Sequence, residues 1–167
     1  QSGVLIKNAQ ALEKMNKIDT LVVDKTGTLT EGKPSVEKVF AEDGFNVNDL
    51  LQKIASLNKY SEHPLAQAIV NHAKEKNVSF SAVKDFKANA GKGVTGTVDG
   101  KIIALGNKKL MEEMHSSIPP ALGEKINNEQ QSGKTVSYIS IDESAIGYIT
   151  ITDKIKETSK KAIEDLL

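Results

Sequence analysis

Residues 18–30 read Ile-Asp-Thr-Leu-Val-Val-Asp-Lys-Thr-Gly-Thr-Leu-Thr, an apolar run that ends in a carboxylate, a glycine and several hydroxyls. Ile18–Asp24 has the length and branched-residue content of a short buried strand, and Gly27 supplies the turn at its end. Apolar runs on both sides of a Gly-bearing loop suit the C-terminal edge of a parallel sheet, where ligands tend to sit. Asp24 is therefore a candidate nucleophile, since carboxylates attack phosphoryl groups and form aspartyl phosphates. Lys25 and the hydroxyls of Thr26 and Thr28 would offset charge on the phosphoryl oxygens, and a magnesium ion would offset more.

Beyond this stretch, Gly32-Lys33-Pro34 reads as a linker. Ser35–Ala41 alternates as a strand, and Val47–Leu57 has helical spacing with Asn46 or Asn48 as N-cap. Pro64–Lys76 is a second helix with proline in its first turn, where the missing N–H costs nothing. From Val83 the period changes to two: Val83–Ala88, Val94–Val98 and Lys101–Leu105 read as strands, the last two joined by an Asp99-Gly100 hairpin turn. Lys108–Met114 and Ala121–Gln131 read as helices, the second ended by Gly133. Val136–Ile141 and Ala145–Ile151 form another hairpin around Asp142-Glu143-Ser144. Lys154–Leu167 reads as an amphipathic helix with Ile155, Ala162, Ile163 and Leu166 as core contacts. The fold class is α/β overall: an α+β insertion, an antiparallel sheet flanked by helices, set into an incomplete parallel α/β unit. The expected boundaries are 1–33, 34–151 and 152–167.

Composition narrows the function. The chain has 167 residues, 38% hydrophobic and 26% charged, which is ordinary for a globular domain. Formal net charge is zero, so no nucleic-acid partner or anionic membrane surface is indicated. All 22 basic residues are lysine, which leaves phosphate binding to Lys, backbone N–H groups or a metal ion. Cysteine is absent, excluding disulfides and thiolate chemistry. No stretch approaches the roughly 20 apolar residues of a membrane helix. The start at Gln1-Ser2-Gly3 and the end at Leu166-Leu167 read as those of a piece of a longer protein.

Three further stretches are candidates for ligand binding. Ser61-Glu62-His63-Pro64 opens a helix, and by itself reads as a cap in which Ser61 or His63 accepts from the first turn while Glu62 favours the helix dipole. Gly91-Lys92-Gly93-Val94-Thr95-Gly96 matches G-x-G-x-x-G, but a strand follows it where a dinucleotide fold requires a helix. Two glycines there let the backbone approach a ligand closely, or mark bulges in a plain hairpin. Gly106-Asn107 lies at a strand-to-helix junction, where Asn107 can also cap the helix. Gly133-Lys134-Thr135 lacks the first glycine of a P-loop, with Asn128 in its place. His72 and His115 sit in helical patterns and are expected to be solvated.

DKTGTLT at Asp24–Thr30 is identical to the phosphorylation motif of P-type ATPases, and the chain resembles the heavy-metal branch of that family. The resemblance covers essentially the whole chain, from Gly3-Val4-Leu5-Ile6-Lys7 onward. SEHP and the spaced G-x-G carry the heavy-metal assignment, while Gly106-Asn107 followed by Leu110-Met111 looks more like copper/silver exporters than zinc/cadmium ones. Asp153-Lys154-Ile155-Lys156 resembles the D-x-x-K/R segment where these pumps re-enter the phosphorylation domain. In haloacid-dehalogenase-type phosphatases a second Asp, a general acid and base, stands two residues after the nucleophile. Here Thr26 stands there, which should slow water attack and let the phosphoenzyme persist.

The resemblance implies a nucleotide-binding domain inserted in a haloacid-dehalogenase-like phosphorylation domain. Asp24 would be the phosphorylated residue, with magnesium held by Asp24 and the Thr26 carbonyl. His63 would pack on adenine with Glu62 fixing it, and Gly91, Gly93, Val94, Gly106 and Asn107 would line the nucleotide. ATP and Mg²⁺ are the implied cofactors. The implied partners are ATP and the membrane, actuator and remaining phosphorylation domains of the same pump, at the cytoplasmic face of a membrane; the piece itself is expected to be monomeric. Without the TGD and GDGxND segments of the family, it is expected to bind ATP with little turnover. The alternatives are a zinc/cadmium pump, a soluble dehalogenase-type phosphatase and a nucleotide-binding regulatory module.

Overall fold

The structure, a computed structural model, describes residues 10 and 17–165. The readings at Gln1–Lys7 and at Leu166-Leu167 lie outside the described residues, as do the side chains of Lys25 and Thr26. The chain divides into two compact units, Gln1–Glu31 with Ile155–Leu167, and Gly32–Lys154.

The larger unit is built on a six-stranded sheet of order β1-β6-β5-β4-β3-β2. In chain order its elements are β1 (Thr30–Ala41), α1 (Val47–Asn58), α2 (Pro64–Glu75), β2 (Val83–Asn89), β3 (Gly93–Val98) and β4 (Lys101–Gly106). Then come α3 (Lys108–Glu113), α4 (Pro120–Gln131), β5 (Thr135–Ile141) and β6 (Ser144–Ile155). Neighbours from β2 to β6 pair antiparallel. The Glu42 N–H at the end of β1 donates to Ile146 O at 2.8 Å. The turn residues explain the connections. Asp99 and Gly100 both take positive φ, 50° and 75°, so the two-residue loop between Val98 and Lys101 has the twist a hairpin needs. Asn46 caps α1 by accepting from Asn48 N at 2.8 Å and Asp49 N at 3.3 Å.

The sheet has an apolar cluster on each face. Leu50, Leu51, Ile54 and Leu57 of α1 and Ile69 and Ala73 of α2 pack with Val98, Ile103, Ile139 and Ile149. On the other face Leu110 and Met111 of α3 and Leu122 and Ile126 of α4 pack with Val136, Tyr138 and Tyr148. Alternation along β5 sends Val136 and Tyr138 one way and Ile139 the other, as a strand covered on both faces must. Each fully buried Leu or Ile contributes roughly 1.5–3 kcal/mol by leaving water. One polar network joins α4 to the sheet. Glu129 accepts from Lys134 at 2.8 Å, Lys38 at 3.0 Å and Tyr148 at 3.2 Å, and Lys134 also meets Glu37 at 2.9 Å. Lys134 first, then Lys38, hold the Glu129 carboxyl down at about 2. Glu129 and Glu37 in turn push Lys134 up to about 12.

The smaller unit departs from the sequence reading twice. Residues 18–24 form no strand and are exposed, Val22 at 92%. A strand is closed by a neighbour's backbone hydrogen bonds, and among the described residues none runs beside this one. The C-terminal helix, α5, spans Glu157–Glu164, starts three residues later than expected, and buries none of its residues. Ile155 belongs to β6 and is 66% exposed, while Ile163 is 43% exposed. An apolar stripe is buried only where a second layer packs on it, and among the described residues none covers this one. Histidine burial differs too: His115 is exposed, but His72 is half-buried, and burial pushes its pKa down.

Candidate functional site

A cleft of about 440 Å³ opens at the end of the sheet where α2 begins and β3 and β4 lie side by side. This volume is in the range of small-molecule sites. Leu65, Ile69, Val94, Leu105 and Ile151 give it an apolar floor, and Ser61, His63, Asn89, Lys92 and Asn107 bring polar groups to it.

His63 reaches the cleft because it caps a helix. Pro64 cannot donate and occupies the first turn, so the first free N–H belongs to Leu65, and it donates to His63 Nδ1 at 3.2 Å. That bond fixes Nδ1 as the acceptor and leaves the ring's other nitrogen and its faces uncommitted. The His63 N–H in turn donates to Ser61 Oγ at 3.3 Å.

Opposite lies the loop Gly91-Lys92-Gly93, which is tied at both ends. Lys92 N–H donates to Asn89 O at 2.9 Å, and Lys92 O accepts from Asn107 N–H at 2.8 Å. Asn107 supplies two more ties: its Nδ2 donates to Gly91 O at 2.9 Å, while its Oδ1 accepts from Leu110 N–H at 3.2 Å and caps α3. Both side-chain polar atoms of Asn107 are thus used inside the protein, which holds the loop against α3.

The glycines differ in role. A Cβ on Gly93 would meet Leu105 O at 2.1 Å, and one on Gly106 would meet Lys92 O at 2.1 Å. These two residues are paired across β3 and β4, so each is glycine because the neighbouring backbone fills the space. Gly91 has positive φ, 68°, with nothing near its Cβ position, so it serves the turn and leaves its face open. Gly96 faces the opposite way, against Leu57 and Val83, and is a helix-packing residue.

Of the expected nucleotide-site residues, His63, Gly91, Gly93, Val94, Gly106 and Asn107 therefore line one cleft. Glu62 is exposed and is not among the lining residues. The sequence reading missed Asn58 and Asn89, which line the cleft without any motif to mark them, and Lys92, passed over between its two glycines. Lys92 is the one lysine among the lining residues, and it is ion-paired with Glu113 of α3.

In the smaller unit, Asp24 is exposed and is followed by a five-residue π-helical turn, Lys25–Leu29. Gly27 has φ of 78° and its N–H donates to Thr30 Oγ1 at 3.0 Å, with Thr30 buried. The start of α5 holds this turn by its carbonyls. Lys156 donates from Nζ to Gly27 O at 2.7 Å and from its N–H to Leu29 O at 2.9 Å, and Ser159 Oγ lies 3.5 Å from Thr28 O. Thr28 is exposed. Among the described residues no three His, Cys, Asp or Glu cluster as a metal site, and no helix is long and apolar enough to cross a membrane. The Asp24 carboxylate and a backbone carbonyl such as that of Thr26 are oxygen donors of the kind Mg²⁺ takes.

The family model of the haloacid dehalogenase-like hydrolases matches residues 18–167. The copper-exporting P-type ATPase of Legionella pneumophila is 46% identical over 99% of this chain and 22% of its own length. The silver-exporting P-type ATPase of Salmonella typhimurium is 43% identical over 99% of this chain and 20% of its own length. Among solved structures, the catalytic domain of the CPx-ATPase CopB-B is similar with a TM-score of 0.68 and 32% identity, over 97% of this chain and 55% of that one. The chain spans about a fifth of the length of the curated relatives it matches.

Proposed function

The chain belongs to the haloacid dehalogenase-like hydrolase family, and from that premise we propose that it is the ATP-binding and phosphorylation region of a heavy-metal-transporting P-type ATPase. The whole protein would use ATP and Mg²⁺ to export Cu⁺ or Ag⁺, with this region at the cytoplasmic face of the membrane. The observation that carries the reading is the meeting of His63, Gly91, Gly93, Val94, Gly106 and Asn107 on one cleft, in a chain that also contains DKTGTLT.

The mechanism follows from the groups at hand. Adenine stacks on the His63 ring over the floor of Leu65, Ile69 and Val94, and Glu62, exposed and one residue before His63, assists from outside the lining. The Gly91–Gly93 loop, tied to α3 by Asn107, meets the ribose and phosphates. An Asp24 carboxylate oxygen attacks the γ-phosphorus, ADP leaves, and an acyl phosphate forms on Asp24. Lys25 and the hydroxyls of Thr26 and Thr28 offset charge on the transferring group. Mg²⁺, held by Asp24 and the Thr26 carbonyl, would offset the same charge when bound. Thr26 offers no carboxylate to activate water, which favours a phosphoenzyme that persists.

ATP titration of the chain, followed by amide NMR, tests the cleft. Shifts should concentrate at residues 61–66, 89–94 and 105–107, and His63→Ala should weaken binding about tenfold, the loss of one desolvated stacking contact. Binding by His63→Ala equal to the parent's would remove the adenine site. In the full-length protein, ATP should leave an acid-stable, hydroxylamine-labile label that Asp24→Asn abolishes; a label that survives this substitution refutes the nucleophile.

A further inference from the structure

Among the described residues Lys92 is the one lysine that lines the cleft, and its partner is a carboxylate of the protein. Its backbone is fixed on both sides, by Asn89 O through its N–H and by Asn107 N–H through its carbonyl. Gly91 and Gly93, with φ of 68° and 143°, flank it, so the turn sets the direction in which the side chain leaves the loop. The ammonium ends on Glu113 Oε1 of α3, with the two side chains 37% and 51% exposed. While that pair is closed the loop offers a passing phosphate no net positive charge. The nearby lysines do not substitute for it: Lys134 is held by Glu129 and Glu37, and neither it nor Lys108 or Lys109 lines the cleft.

We infer that Lys92 is the cleft's phosphate-reading residue and that Glu113 holds it in reserve, so the Lys92–Glu113 pair sets how strongly the site prefers a nucleotide to its nucleoside. This rests on the cleft being the nucleotide site proposed above. A nucleotide phosphate near the loop competes with the Glu113 carboxylate for one ammonium. An exposed ion pair is weak and screened by salt, so the competition is reversible and its outcome depends on the number of phosphate charges. Lys suits this role because its ammonium is a point charge on a flexible stem that can swing between two acceptors. Glu113 acts through Lys92, so it is a positioning residue and touches no ligand. In this reading the apolar floor and His63 hold the base and sugar, while the Lys92–Glu113 pair sets the selectivity among adenosine, AMP and ATP.

The test is the ratio of ATP to adenosine affinity, measured by amide NMR titration of the 167-residue chain at low salt. Glu113→Gln frees Lys92 and should raise the ratio about two- to fivefold, the range of an exposed pair. Lys92→Met leaves Glu113 unpaired beside the loop and should bring the ratio below the parent's. AMP should fall between adenosine and ATP in the parent, and the three should converge as salt is raised to about 0.5 M. A ratio unchanged in both variants overturns the inference. So does a ratio that falls in Glu113→Gln, because Glu113 would then be holding Lys92 in its binding posture. If the parent's cleft amides respond to neither ligand, the nucleotide site itself is wrong. If they respond and only the ratio is insensitive, the site stands and the role of the pair falls.

Discussion

Replacing Gly93 with alanine would test whether this glycine exists for the ligand or for the sheet. The added Cβ would stand 2.1 Å from Leu105 O and 2.6 Å from Gly106 Cα, where real Cβ contacts stay beyond 3.0 Å, so relief needs a shift of 3.0 − 2.1 = 0.9 Å. Gly106 cannot supply the room, because its own Cβ position is 2.1 Å from Lys92 O. The backbone conformation adds to the cost, since φ of 143° is nearly reserved for glycine. Strain of about 1–3 kcal/mol and overpacking of about 1–3 kcal/mol sum to about 4 kcal/mol. Gly91→Ala is the control. It also has positive φ, 68°, but open space around it, and should cost about 1–2 kcal/mol. Urea unfolding followed by circular dichroism, without nucleotide, reads both. With a slope of about 2 kcal/mol per molar urea, Gly93→Ala should unfold about 2 M earlier than the parent and about 1 M earlier than Gly91→Ala. Equal midpoints for the two variants would refute the assignment of Gly93 to sheet closure.

Asn107→Ala should cost about 2 kcal/mol, about 1 for the lost cap of α3 and about 1 for the lost bond to Gly91 O. Asn107→Asp keeps the cap but cannot donate to Gly91 O, so it should recover much of the stability in thermal unfolding while ATP titration still shows weakened binding. Acid should expose the Glu129 network. The folded carboxyl sits at about 2, below its ordinary value of 4.5, so its contribution is present above pH 4.5 and is lost as pH falls from there toward about 2. Urea midpoints taken between pH 7 and pH 2.5 should fall through that window, and Glu129→Gln should start lower and fall less; parallel curves would remove the network from the account.

What could be read in the sequence depended on how local the cause was. The β3–β4 hairpin was legible because Asp99-Gly100 specifies its own turn, and α1 because Asn46 caps it within three residues. Residues 18–24 read as a buried strand because branched apolar residues signal burial, but burial and pairing come from neighbours that a local pattern does not contain. The same holds for α5, whose apolar stripe implies a covering layer, and whose Ile155 was taken up by the end of β6. In the cleft, His63 and the glycines were marked by the resemblance of Ser61–Pro64, Gly91–Gly93 and Gly106-Asn107 to motifs of the heavy-metal pumps. Spacing did not reveal that Gly93 and Gly106 face each other's strands, since that requires the register Gly93↔Gly106. Asn58 and Asn89 carry no motif, Lys92 is the variable position inside one, and the three meet in the cleft only through the fold.

The adjacency of β1 and β6 at one side of the sheet has a mechanical meaning. The larger unit's two ends, near Gly32 and Lys154, leave from the same end of one antiparallel ribbon. Pulling on those ends loads the β1–β6 ladder one rung at a time, the weak direction of a sheet, as opposed to loading all its rungs together. The ribbon is not bare along its length: α1 and α2 share one apolar cluster with Ile146, Ile149 and Ile151 of β6, and Leu50 of α1 lies against Gly147. Such an attachment behaves as a strap. A load on the unit's two ends would meet the first hydrogen bonds of this ribbon before it reached the helices packed on the sheet.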